Sequence, residues 1–324
     1  MATYKGIQGY TVQKLSSDPT AEDTVGQLFY NSTSGKFKIS VAGAGAWATG
    51  GNMNTARYEF SGMGTQTAAL AAGGDTGSVS DKAETYNGST WTEVNAINTA
   101  REQAGPSGTT TSGLIFGGMP PTPGLAVTES YNGSTWTEVA DLTTARRAVN
   151  GAGASNTAAL AFSGYIPHVN QVITETWNGT SWTEVNNLNT GRRLGASGGT
   201  NTSALYAGGH ESPSETTAVE AWNGTCWSEV NNLNTAGAGQ AGAITDSTSG
   251  LVFGGDRPGT IGITESYDGS SWTEVADLAT ARAYLAGAGS NTSGLAFGGS
   301  APGASNATEE WTNPVYAAKT VTVS

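Results

Sequence analysis

ESYNGSTWTEV, Glu129 to Val139, occurs five times with small changes. The other copies are ETYNGSTWTEV (Glu84 to Val94), ETWNGTSWTEV (Glu175 to Val185), EAWNGTCWSEV (Glu220 to Val230) and ESYDGSSWTEV (Glu265 to Val275). Their tryptophans stand at Trp91, Trp136, Trp182, Trp227 and Trp272, so the period is 45 or 46 residues, and a worn sixth copy, EEW, ends at Trp311. A fixed period of this size marks a repeat architecture. Within one copy, Glu129 and Tyr131 alternate on one strand, Asn132-Gly133 is a turn signal whose residues both accept positive φ, and Trp136 lies on the return strand. Each copy therefore predicts a β-hairpin, which is marginal alone and needs partners.

The partner lies upstream. RAVNGAGASNTAALAFSG, Arg147 to Gly164, holds a run of small residues, a polar turn at Ser155-Asn156-Thr157 and an apolar run ending in glycine. The same shape recurs as LAAGG (Leu70 to Gly74), LIFGG (Leu114 to Gly118), LYAGG (Leu205 to Gly209), LVFGG (Leu251 to Gly255) and LAFGG (Leu295 to Gly299). Each period thus holds four short antiparallel strands, a to d, without helical periodicity. Four-stranded units of this length predict an all-β fold of propeller blades.

The pattern resembles the kelch repeat: paired glycines ending strand b, Glu-x-aromatic on strand c, Trp on strand d, then Arg before the next strand a. The resemblance covers about residues 47 to 311 and implies a six-bladed β-propeller. The third repeat departs from it with Ser163-Gly164 in place of the double glycine, and the fifth has Gly237 where its neighbours have Arg. Trp47 lies ten residues before Arg57, as Trp91, Trp136, Trp182 and Trp272 do before Arg101, Arg146, Arg192 and Arg282. Trp47 therefore marks a d strand without its own a, b and c strands, and the ring is expected to close by pairing this N-terminal strand with the sixth blade, because an open ring leaves an unpaired edge. The expected organisation is an N-terminal adaptor over residues 1–44, the propeller over 45–312 and a β-prone tail over 313–324. GQLFYNSTSGKFKISV, Gly26 to Val41, reads as a hairpin turning at Ser34-Gly35. It resembles short segments near the start of phage tail-fibre and other virion proteins.

Composition narrows the function. The chain has 324 residues, a net charge of −12 and 12% charged residues, and Lys82 is the sole lysine between residues 48 and 311. No basic stripe is present, so no nucleic-acid partner is expected. MATYKGIQGYTVQKL has no apolar core and no long apolar span follows, so neither a signal peptide nor a membrane helix is expected. The single cysteine, Cys226, excludes an internal disulfide and replaces a Ser or Thr at a hairpin turn. Glycine, 47 residues, is about twice its usual ~7% share, which suits innermost strands where blades converge.

Catalytic sets are not apparent. Kelch-type propellers include a copper sugar oxidase, whose site needs two His, two Tyr and a Cys together. Here His168 and His210 sit in separate b–c loops and Cys226 at the other end of a blade, so neither copper nor another cofactor is expected. The repeated arginines and glutamates read as scaffold: strands a and c run the same way, so Arg147 and Glu175 are expected to bond and staple inner to outer strands. A catalytic pair would break the repeat rather than follow it.

The b–c loops do break it, while the a–b and c–d turns stay nearly uniform. The first residues after the glycine pairs are Asp75, Met119, Tyr165, His210, Asp256 and Ser300, with His168 and Arg257 in the same loops. A fixed frame with divergent loops is how scaffolds carry binding sites, and drift is the plain alternative. The candidate ligand-binding residues are Asp75, Met119, Tyr165, His168, His210, Asp256 and Arg257. No metal is expected, since Asp75 and Asp256 are too few carboxylates for Ca²⁺. The expectation is a non-enzymatic recognition module, virion-borne or extracellular, binding a glycan or a host-surface protein and meeting other virion proteins through residues 1–44. A secreted sugar-processing enzyme on the same fold is the alternative, favoured if acidic, His and Arg side chains converge in one pocket. A structural decoration without ligand is the third reading.

Overall fold

The computed structural model describes residues 12–19, 26–42, 45–120, 124–313 and 316–321. Residues 1–11, 20–25 and 43–44 of the expected adaptor, 121–123 of the second b–c loop, and 314–315 and 322–324 of the tail lie outside them. Among the described residues there are strands, turns and no helix. The chain divides into two compact units, Trp47–Thr312 and Met1–Ala46 with Asn313–Ser324.

In the larger unit each period folds into one four-stranded antiparallel sheet in the order a-b-c-d, giving a propeller-like arrangement. The first sheet is Ser61–Thr65, Ala68–Ala72, Ala83–Tyr86 and Trp91–Val94; the second is Gly105–Thr109, Ser112–Phe116, Thr128–Tyr131 and Trp136–Val139. The third is Asn150–Ser155, Ala158–Phe162, Thr174–Trp177 and Trp182–Val185; the fourth is Ala196–Gly199, Ala204–Ala207, Val219–Trp222 and Trp227–Val230. The fifth is Ala241–Asp246, Ser249–Phe253, Thr264–Tyr267 and Trp272–Val275. The sixth takes Ala286–Gly289, Ser293–Phe297 and Thr308–Thr312 from its own period, and its fourth strand is Ala46–Thr49. Each a strand packs beside the a strand of the next sheet, and that of the sixth beside that of the first.

The b strands are continuously apolar because each is buried on both faces by neighbouring sheets. The a strands are glycine-rich because their backbones crowd together. A Cβ on Gly151 would stand 2.1 Å from the Pro106 carbonyl oxygen, and one on Gly62 2.5 Å from Ala286 Cβ.

The repeat tryptophans lock sheet to sheet. Trp91, Trp136, Trp182, Trp227 and Trp272 are all buried. Trp91, Trp182 and Trp227 pack on Phe297, Phe116 and Phe162 of the preceding sheet, with ring centroids 4.8–4.9 Å apart. Their Nε1–H groups donate to Thr308, Thr128 and Thr174 Oγ1 of that same sheet at 3.0 Å. Trp47 does the same toward the fifth sheet, on Phe253 at 4.9 Å and to Thr264 Oγ1 at 3.1 Å. The Asn-Gly turn works differently from a two-residue hairpin. Tyr131 pairs with Trp136 across a four-residue loop, only Gly133 takes positive φ (91°), and the Asn132 side chain accepts the amides of Ser134 and Thr135 at 2.9 and 2.8 Å.

The stapling ion pair exists, one residue away from the expected arginine. Arg146, not Arg147, bonds Glu175, at 2.5 Å with both side chains fully buried. Arg57–Glu84, Arg101–Glu129, Arg192–Glu220 and Arg282–Glu309 repeat it. The sequence missed the third member: Asn54 donates through both its backbone and its side-chain nitrogen to Glu84, and Asn98, Asn189 and Asn234 do the same in their sheets. Its recurrence three residues before the arginine was the available signal. Burial lowers the Arg146 guanidinium below its ordinary pKa, and the Glu175 charge opposes this.

In the smaller unit, Leu28–Asn31 and Lys36–Ala42 form the expected hairpin. Gln13–Leu15 joins it in parallel and Tyr316–Thr320 antiparallel, so the C-terminal tail is the fourth strand of this sheet.

Candidate functional site

The residues after the glycine pairs occupy equivalent places. Asp75, Met119, Tyr165, His210, Asp256 and Ser300 each bridge to the residue following the repeat-arginine position: Tyr58, Glu102, Arg147, Arg193, Ala238 and Ala283. One step further along lie Glu59, Gln103, Ala148, Leu194, Gly239 and Tyr284, all with left-handed φ between 50° and 62°. That kink turns four of the six amides toward the neighbouring sheet. Glu59 N–H donates to the Tyr284 carbonyl, Gln103 to Glu59, Gly239 to Leu194 and Tyr284 to Gly239, at 2.7–2.9 Å. Five non-glycine residues in this conformation are strained backbone, which persists only where surroundings over-determine it and gathers at functional sites. These six residues line the mouth of a cavity of about 130 Å³ bounded by the starts of the a strands. Sequence reasoning passed over them because they precede strand a, whereas the divergent loops follow strand b. Their variation two residues after each arginine was the visible signal.

Charged groups gather near these residues. On the first and second sheets, Tyr58 donates to Asp75 at 2.8 Å, and Gln103 Nε2 donates to Glu59 at 2.9 Å. The Asp75 bond pushes the Tyr58 phenol up to about 12. Burial, followed by the charges of Glu59 and Asp75, pushes the Glu102 carboxyl up to about 7, with Arg147 opposing. Burial raises Glu59 as well.

Here the third and fourth sheets carry two arginines, with Glu215 of the fourth b–c loop against His210 Nδ1 at 3.7 Å. The guanidinium carbons of Arg147 and Arg193 lie 5.1 and 4.4 Å from the centroid of the Tyr165 ring. Tyr165-Ile166 and Val169-Asn170 form a two-stranded ribbon rising from the third b–c loop, with His168 exposed at its tip in left-handed φ (72°). Asn170 fastens the ribbon to the fourth sheet: its Oδ1 accepts from Arg193 at 2.6 Å and its Nδ2 donates to the His210 carbonyl at 2.9 Å. Arg147 donates to the Met119 sulfur at 2.9 Å. Among the described residues neither arginine has a carboxylate partner, while the five scaffold arginines all do.

The structure thus brings Met119, Tyr165 and His210 around Arg147, Arg193 and Asn170. The rest of the expected set lies apart from them. Asp75 and Asp256 belong to loops of the first and fifth sheets, where each accepts a backbone amide of its own loop, Gly77 and Gly259. Arg257 is exposed in the fifth loop. No group of three His, Cys, Asp or Glu suited to a metal ion occurs among the described residues.

No family model matches the chain, and no curated protein does. The fold has solved counterparts. A structure titled "Structure of YjhT", a kelch-like β-propeller, matches with a TM-score of 0.65 at 14% identity, covering 83% of this chain and 97% of that one. It is one of 313 matching chains, so the likeness identifies a widely used fold, the β-propeller, and carries no activity with it.

Proposed function

We propose that this chain is a non-enzymatic recognition module: a closed six-bladed kelch-like ring that binds an acidic glycan on its b–c loop face. Its support is the pair Arg147 and Arg193, two half-buried guanidiniums over the Tyr165 ring with no carboxylate of their own. Guanidinium matches carboxylate or sulfate in a planar, two-pronged way, and an aromatic ring gives a sugar an apolar platform. A host-surface protein would be bound through such a glycan. The Asn/Thr/Gly-rich, lysine-poor chain and the phage-like Gly26–Val41 segment suit a virion or extracellular setting, with residues 1–44 meeting other virion proteins. Closure by Ala46–Thr49 accords with that strand's place in the sixth sheet.

The test is an array of carboxylated and sulfated glycans beside neutral counterparts. Wild type should retain acidic members, and the triple variant Tyr165→Ala, Arg147→Ala, Arg193→Ala should lose them without a change in melting temperature. A ligand held by the Asn-Gly-Ser turns at the other end of the blades would overturn the assignment.

A second reading has one observation in its favour. Glu59 and Glu102 lie within electrostatic reach of Arg147, and a carboxyl titrating near 7 suits proton transfer on a sugar. Mass analysis of glycans incubated with the protein separates the readings, since a pure binder returns them unchanged.

A further inference from the structure

Position 237 breaks the arginine series without breaking the surroundings that the arginine serves. In the first sheet the Arg57 guanidinium donates to the carbonyls of Gly73 and Lys82 and to Glu84, at 3.5, 2.8 and 2.9 Å. In the sixth, Arg282 reaches the carbonyls of Gly298 and Ala307 and Glu309 at 3.2, 2.6 and 2.9 Å. The fifth sheet keeps the equivalent acceptors, the carbonyls of Gly254 and Ile263 and the carboxylate of Glu265, and has Gly237 in place of the donor.

Glu265 is held in place as firmly as its counterparts in the other sheets. It is 2% exposed. Asn234 donates to its Oε2 through backbone and side chain at 2.8 Å, and Thr235 N–H to its Oε1 at 2.9 Å. Those donors are neutral, and no cationic side chain pairs with Glu265 among the described residues. A buried carboxylate without a counter-charge is strongly unfavourable, and its attraction for a small cation is correspondingly large. Gly237 has none of the positive φ that only glycine accepts easily. An added Cβ there would first meet the flexible Gln240 side-chain amide, its Cδ at 3.0 Å and its Nε2 at 3.1 Å. The glycine is thus not demanded by the backbone, and what it removes is the guanidinium that the other five sheets place against this glutamate, with the Gln240 amide lying beside Gly237 instead.

We propose that the fifth sheet is a socket for a small monovalent cation, held by Glu265 and the carbonyl oxygens of Gly254 and Ile263. The acceptor arrangement is the one that binds guanidinium elsewhere in the ring, so guanidinium-type ions are the best fit and alkali ions share its oxygen-seeking chemistry. The site is separate from the b–c loop face and stands whether or not that face binds a glycan.

The test is thermal unfolding of the full chain at constant ionic strength with low-millimolar guanidinium, potassium or sodium, tetramethylammonium being the control. A ligand that binds only the folded state raises the melting temperature and saturates. Guanidinium should raise that of wild type by several degrees, with potassium and sodium arms reporting whether alkali ions share the socket. Gly237→Arg should melt higher without any ligand and no longer respond; Glu265→Gln, if it folds, should also lose the response. Equal shifts with all four cations, no shift with any, an undiminished response in Gly237→Arg, or a Gly237→Arg protein that melts below wild type would each overturn the proposal.

Discussion

Thr128, Thr174, Thr264 and Thr308 account for a detail of the repeat that its tryptophans leave unexplained. In the first and fourth sheets the equivalent residues are Ala83 and Val219, and the aromatic at the end of strand b is replaced by Ala72 and Ala207. With neither hydroxyl nor ring to meet, Trp136 and Trp272 donate instead to the backbone carbonyls of Asn95 and Asn231, at 3.0 and 2.9 Å. The indole N–H thus always finds a partner on the preceding repeat, as a buried donor must. Thr128→Val should leave the Trp182 N–H unsatisfied and destabilise by about 1–3 kcal/mol, whereas Trp182→Ala should lose about 3–5 kcal/mol. Urea unfolding of both variants checks the order. A Thr128→Val protein with wild-type stability would mean that Trp182 can turn to a carbonyl as Trp136 does.

At the scale of the element, the third b–c loop is the part of the frame that has become a structure of its own. Its ribbon holds Tyr165 beside two arginines that came from adjacent repeats, while Glu102 faces Arg147 from the second sheet. The raised Glu102 pKa has two consequences. Its folded value, about 7, lies above the ordinary carboxylate value of 4.5, so the folded state binds the proton more tightly. That contribution to stability is fully present below 4.5 and is lost as pH rises toward 7. Binding follows the same direction: neutral Glu102 leaves Arg147 free for an anionic ligand, and ionised Glu102 competes for it. Acidic-glycan affinity should therefore weaken as pH rises through about 7, and Glu102→Gln should flatten the profile while keeping the high affinity. Titration calorimetry on both proteins between pH 5.5 and 8.5, roughly one and a half units either side of that value, decides it; an unchanged slope in the variant would place the titrating group elsewhere.

For the whole molecule, Ala46–Thr49 is the strand on which the sixth sheet depends, because it pairs beside Thr308–Thr312 from the far end of the chain. Trp47 adds contacts with Phe253 and Trp311. Deleting residues 1–52 should bare the Thr308–Thr312 edge and yield a protein that aggregates and melts lower, since an exposed strand edge invites pairing with other chains. Size-exclusion chromatography and a melting curve check this. A monomeric truncation of unchanged stability would show that the strand is dispensable.

The order of residues by itself determined the four-stranded plan of each repeat and the place of Trp47 on a fourth strand, because each depends on local spacing repeated along the chain, whereas the Gln13–Leu15 strand and the Tyr165-Ile166/Val169-Asn170 ribbon lie outside that spacing and were not foreseen. It also made Tyr165, Met119 and His210 visible as departures from that spacing. It misplaced the staple by one residue, taking Arg147 for Arg146, since adjacent arginines differ only in which side of the sheet they face. Only the tertiary structure decided that Arg147 and Arg193 meet over Tyr165 and that Glu102 sits buried within electrostatic reach of Arg147. Those are relations between repeats some 45 residues apart, and they follow from the packing of neighbouring sheets rather than from any local pattern.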